Sequence, residues 1–413
     1  MTNRLLLIRR ALLVLVMGLV IGMALPAFGV SPAMSQERLT VITESGTPVV
    51  AAEILMQVGA ADEEGNAGIT HLAGRSVLAA IRPSLDSLGV RAGLVVDKDA
   101  FSISIIAAPD VWEKAMDLTL KGLFEAPPPS SAVLQERAAI LAELRGRVAN
   151  PADAATRELD RAVFGADHPW GRPEVGTVES VGRLTANQVQ TFTDEFFVPA
   201  RASVAIVGPV EIQDARARLP RAISLARGNR TAVDAFDPEK EPVIRSYNSV
   251  TSWVSVSYPF SASADEEAIR FATFLTADAL SYSPRQRSIY NLQSEVVPRA
   301  EGGEMRIQIV VPPEEAIDWA ERLIGFVANL RAIDMHDDEF ESGLRRFRGE
   351  RTMALITPEA RAHAAARALL VGAPDREALV PEMEEMTLSR LHAAADHLGP
   401  PVLVVLGPIS DQD

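Results

Sequence analysis

"SVAIVGPV", residues 203–210, and "VLVVLGPI", residues 402–409, decide the fold. Each is an apolar run, of the kind a buried strand makes, that stops at Gly-Pro, a turn signal. Each is preceded by a helix with a hydroxyl start: "LTANQVQTF" from Thr185 and "MTLSRLHAA" from Thr387. A hydroxyl at a helix start accepts a bond from a first-turn N–H that has no partner within the helix. The two endings lie about two hundred residues apart, and a repeat of that period predicts a duplicated domain.

Working outward, residues 36–210 form the first unit and 248–413 the second, with 211–247 joining them. The first unit opens with "LTVITESGTPVVAAEILMQVGA", which alternates around Gly-Thr-Pro as a hairpin does. Helix spacing comes next over about 68–82, then a strand over 100–108, helices from Asp110 and over 132–148, and two more around a Gly/Pro-rich loop, 164–177. The second unit repeats the mixture, with strands at 250–260 and 304–311 and helices near 264–281, 313–332, 338–355 and 359–371. The stretch 211–247 reads as a helix and then the polar linker "RGNRTAVDAFDPEKEP". Mixed strands and helices with hairpins predict an α+β domain, twice.

The 413 residues are 47% hydrophobic and 23% charged, a globular composition, with no cysteine, so disulfides and thiolate metal sites are excluded. Residues 1–35 read as a signal peptide. Arg4, Arg9 and Arg10 precede the apolar run 11–25, and small residues come after it. Export to the periplasm is the expectation, an uncleaved anchor staying open. The net charge of −15 becomes about −18 without those three arginines. Such a surface repels nucleic acid and anionic membrane, so neither is expected as a partner beyond the signal segment.

"GITHLAGRSVLAA", 68–80, carries the chemical question. A helical His-x-x-Glu-His puts two imidazoles one turn apart to bind zinc, and the Glu takes a proton from the metal-bound water. Here the order is His71, Leu72, Ala73, Gly74, Arg75. Gly74 has no side chain to act as base, and the guanidinium of Arg75 has no lone pair for a metal. None of the other histidines has ligand spacing with His71. His71 alone reads as a polar residue satisfied locally.

With the neighbouring motifs, the chain resembles the pitrilysin/insulinase (M16) metallopeptidases, in their processing-peptidase-like branch. "LDSLGVRAGLVVDKDAFSISI", "ERAAILAEL", "HPWGRPEVGT" and "VGRLTANQVQTFTDEFFVPARASVAIVG" carry the resemblance with the His71 helix. It implies two tandem homologous α/β-sandwich domains of the mitochondrial-processing-peptidase-like (LuxS/M16 metallohydrolase-like) fold. It assigns Glu143 to the third zinc ligand and Glu136 to a supporting acid. Arg287 and Tyr290 are the nearest candidates for the family's substrate-holding Arg and Tyr.

The resemblance and the two altered positions together imply a pseudo-peptidase, with no cofactor of its own and zinc only in an active partner. The expected role is the non-catalytic subunit of a secreted heterodimer with an active M16 subunit. It would complete a chamber and help bind unfolded peptide along an edge of the 38–108 sheet. A purely structural subunit of another assembly is the alternative, and an active zinc endopeptidase the weakest reading. With Glu136 and Glu143 lacking a metal, Arg75 is expected to supply their counter-charge. The "HPWGRPEVGT" loop reads as structural, and the acidic runs "DEE" (62–64) and "MEEM" (383–386) as solvated helix ends.

Overall fold

A computed structural model describes residues 38–147, 149–221, 223, 236–282, 288–299, 301–331, 335–370 and 386–408. The targeting segment read over 1–35 and most of "MEEM" lie outside the described residues.

The first unit runs β1 (Leu39–Thr43), β2 (Val50–Met56), α1 (Ile69–Ser87), β3 (Arg91–Val96), β4 (Phe101–Ala107), α2 (Trp112–Phe124), α3 (Ser130–Arg147), α4 (Pro151–Phe164), α5 (Val178–Arg183), α6 (Ala186–Phe196) and β5 (Ala202–Gly208). After α7 (Ile212–Arg218) come β6 (Val243–Ser246), β7 (Ser252–Ser261), α8 (Glu266–Ser281), β8 (Asn291–Arg299), β9 (Gly302–Val311), α9 (Ala316–Leu330), α10 (Asp337–Ala354), α11 (Pro358–Leu370), α12 (Leu388–Asp396) and β10 (Val402–Gly407). The stretch 211–247 is thus more than linker, because β6 lies inside it. β6 is illegible in the sequence because its four residues, two half-buried and then two exposed, show no alternation.

The two sheets share one topology: β1-β5-β2-β4-β3 and β6-β10-β7-β9-β8. The outer pairs β1/β5 and β6/β10 are parallel, and every other pair is antiparallel. The Gly-Pro endings now have a cause. A Cβ on Gly208 would lie 2.7 Å from the Val49 carbonyl oxygen, and one on Gly407 2.8 Å from Ser252 Cα. At the end of each central strand the neighbouring chain passes too close for a side chain. The hydroxyl starts hold as well: Thr185 accepts from Gln188 N at 3.2 Å, and Thr387 from Arg390 N at 3.2 Å.

Each sheet buries one face against its own helices, forming two separate cores. The other face is covered by a helix from the opposite unit. α4 packs on β7 and β10, where Leu159, Val163 and Trp170 meet Val402 and Val404. Reciprocally, α11 packs on β2 and β5, where Ala365 and Ala366 meet Leu55 and Ala205. Buried charges stitch the same junction. Lys98 lies 2.9 Å from Asp160, Asp160 2.6 Å from Arg306, and Arg306 2.8 Å from Glu304. Such a chain is tolerated because each ion keeps a partner; an unpaired member would be costly.

Candidate functional site

The site is built on α1. Gly68 caps it at φ 89°, a conformation that favours glycine, and its place is tight: a Cβ there would lie 2.9 Å from Gly176. Glu63 accepts the N–H groups of Gly68 (3.2 Å) and Thr70 (3.3 Å), replacing bonds the helix cannot supply at its own start. Burial pushes its carboxyl up to about 7, against those bonds. Here a sequence expectation fails. In "DEE", Asp62 and Glu63 are buried rather than solvated, and Asp62 meets Arg201 at 2.6 Å. The signal for this burial is an acid just before a glycine-capped helix. α1 also runs past Arg82 to Ser87, through Pro83. Pro83 and its neighbours Arg82 and Ser84 are exposed, so water can satisfy the carbonyl that the proline leaves unbonded.

α3 packs along α1. Val133 and Ile140 face the core, while Glu136 and Glu143, seven residues apart, share a face toward α1. Between them lies Arg75. Its Nε donates to Glu136 at 2.7 Å, and its Nη1 to both oxygens of Glu143 at 2.8 Å each. Burial works against this charge, but the bonds to Glu143 and Glu136 outweigh it and hold the guanidinium above its ordinary pKa.

His71 stands one turn before Arg75. Burial, then the nearby cations of Arg75 and Arg147, push its imidazole down to about 4, so it is neutral near pH 7. Its Nδ1 is buried and bonded to nothing among the described residues. The local satisfaction expected of it is therefore missing at that nitrogen. Gly74 faces β3. A Cβ there would lie 3.2 Å from Leu94 Cδ1 and 3.6 Å from Phe101. Any side chain at position 74 would start against Leu94, which would have to give by a few tenths of an ångström.

Zinc does not fit these residues. The carboxylates that would receive it are engaged by a permanent cation, one imidazole remains, and no base stands at Gly74. Among the described residues no three His, Cys, Asp or Glu side chains gather into a metal-holding group. The other sequence candidates lie elsewhere. Arg287 lies outside the described residues. Tyr290 is 63% exposed just before β8, and its N–H donates to the Val310 carbonyl. In the "HPWGRPEVGT" loop, His168 accepts from Trp170 N at 3.1 Å, Trp170 donates to Asp99 at 2.8 Å, and Lys98 bonds the Arg172 carbonyl. These contacts fit a structural role. Nothing in the residue pattern singles out His363, on α11, which meets the buried Glu53 of β2 at 2.8 Å.

The comparisons with known proteins bear on the fold. No family model matches the chain. An uncharacterized zinc protease of Mycobacterium leprae is 36% identical over 99 residues, which span 24% of this chain and 22% of that relative. The M16 inactive domain from Pseudomonas fluorescens superposes with a TM-score of 0.78 at 17% identity, covering 92% of this chain and 98% of that one. The fold is that of the M16 peptidases. The periplasmic protease PqqL from Escherichia coli shares this M16 fold at a TM-score of 0.70 and 13% identity, over 89% of this chain and 44% of that one. Where the sequence resemblance expects a base and a second metal ligand, this chain has Gly74 and Arg75.

Proposed function

We propose that the chain is a non-catalytic M16-type subunit. It would be exported to the periplasm and pair with an active peptidase subunit, completing a chamber and helping to hold unfolded peptide. The observation that carries this reading is the Arg75 guanidinium between Glu136 and Glu143, 2.7 and 2.8 Å away, where hydrolysis would need a metal. No helix among the described residues is long and apolar enough to cross a membrane, which is compatible with export.

Among the described residues, no strand pairs with the outer edges of β1 and β3 in the first unit, and β3 is the one that borders the site. Its Leu94 touches the space beside Gly74. An extended peptide added to β3 would use backbone N–H and C=O groups, which need no catalytic residue. Val95, 55% exposed, offers that peptide an apolar neighbour.

Co-expression with an intact His-x-x-Glu-His homologue from the same cell tests the reading. The two chains should co-purify, and the partner should cleave peptide more slowly without this chain. Failure to associate, or an unchanged cleavage rate, sinks it. Association with an unrelated assembly and no peptide binding would favour the purely structural alternative.

A further inference from the structure

We propose that Arg75 acts as a resident cation in place of a metal, and that its free Nη2 donates to a backbone carbonyl of a peptide lying along β3, holding that peptide without hydrolysing it. This rests on the peptide-binding role proposed for the subunit and names the side chain that does the holding.

The geometry supplies each part. Nε and Nη1 are spent on Glu136 and Glu143, which fixes the plane of the guanidinium. Among the described residues Nη2 has no hydrogen-bond partner, and the side chain is 24% exposed, so those N–H groups are open to a ligand. β3 is an edge strand packed on α1, and its Leu94 lies against Gly74, the residue before Arg75. A peptide added to that edge would run beside α1, the helix that carries Arg75.

The chemistry then separates binding from cleavage. A guanidinium donates to a carbonyl oxygen and keeps its charge at any ordinary pH. It has no site for a water molecule to ligate and lose a proton. Gly74 offers no base, and burial, with the nearby Arg75, disfavours a proton on His71. The carbonyl is held, and nothing is generated to attack it. Because the cation is covalent, a chelator cannot remove it.

The test uses the full mature chain and a fluorescein-labelled, acetylated and amidated Val/Thr peptide of about nine residues. Anisotropy gives Kd, calorimetry gives Tm, and mass spectrometry gives bound zinc. The expected result is no stoichiometric zinc, with Kd and Tm unchanged by EDTA. Arg75→Lys keeps the charge and loses the fork, and should weaken the peptide about tenfold. Glu143→Gln, which frees the guanidinium to swing, should weaken it about threefold and serves if the lysine variant does not fold. Arg346→Lys, in the second unit, should leave Kd unmoved, which a general loss of stability would not. Stoichiometric zinc with a chelator-sensitive Tm overturns the proposal. So does an unchanged Kd in both Arg75→Lys and Glu143→Gln, which leaves the peptide-binding role standing. If the unaltered chain binds no peptide, that role falls and this proposal with it.

Discussion

The helix pair α1/α3 and its counterpart α8/α10 occupy the same place in two sheets of one topology, yet their charges are reversed. In the first unit a single arginine on α1 meets two glutamates on α3. In the second the acids sit on α8 and the arginines on α10: Asp278 with Arg346, and Glu267 with Arg351 at 3.5 Å. Gly343 of α10 lets Leu275 and Phe271 of α8 come close, an apolar contact where the first unit has ions. Between α8, α10 and β8 a cleft of about 300 Å³ remains, walled by Phe274, Phe347 and Val296. Strand pattern sets the architecture, while a handful of helix-face residues decides whether a unit carries a site.

The largest effect should come from the seam between the units. Asp160→Ala leaves Lys98 and Arg306 buried with one partner fewer, and should lower unfolding stability by roughly 3–5 kcal/mol in urea titrations. A loss below about 1 kcal/mol would mean the units stand independently.

The helix pairs come next. Arg75→Ala strands Glu136, whose side chain is 15% exposed, and should cost about 2 kcal/mol, or ~4–8 °C in Tm. Arg346→Ala, at a 46% exposed arginine, should cost under about 1 kcal/mol. Equal losses would erase the difference between the two pairs.

Two titrations in the first unit come last, read as slopes of stability against pH rather than as single losses. Glu63 has a folded value near 7, above its ordinary 4.5, so the folded state holds the proton more tightly. Stability therefore falls as pH rises from 4.5 through 7. His71 has a folded value near 4, below its ordinary 6.5, so the unfolded state binds the proton more tightly. Its contribution is lost as pH falls from 6.5 toward 4. Thermal melts across pH should show the first slope flattened in Glu63→Gln and the second in His71→Asn. Slopes unchanged in these variants would assign the pH dependence to other groups.

Much of this is legible in the chain. The Gly-Pro strand ends predict the duplication because a local backbone constraint leaves a local mark. Arg75 with Glu136 and Glu143 is legible through the resemblance, which brings the two acids to the His71 helix, while their spacing of seven puts both on one helix face. β8 and β6 are not. β6 is four residues long, and β8 alternates only between exposed and half-buried positions whose residues, Asn291 to Glu295, are mostly polar, so neither shows the apolar alternation that marks a strand. Leu94 filling the space at Gly74, and Lys98 buried at the seam, depend on contacts between distant segments that no periodicity encodes.

The exchange of α4 and α11 bears on how such a chain can change over time. A duplicated domain begins as two interchangeable modules, and this pair has lost that freedom. Glu53, at the centre of the first sheet, meets His363 of the second unit; Arg91 on β3 reaches Glu359, and Asp97 bonds Arg367. A chimera carrying residues 38–210 beside a relative's second half would lay a foreign helix over that sheet and leave a buried carboxylate facing whatever arrived. The halves are therefore coupled as one piece, and a substitution at Glu359 on α11 would be felt at Arg91, on the strand edge proposed for peptide.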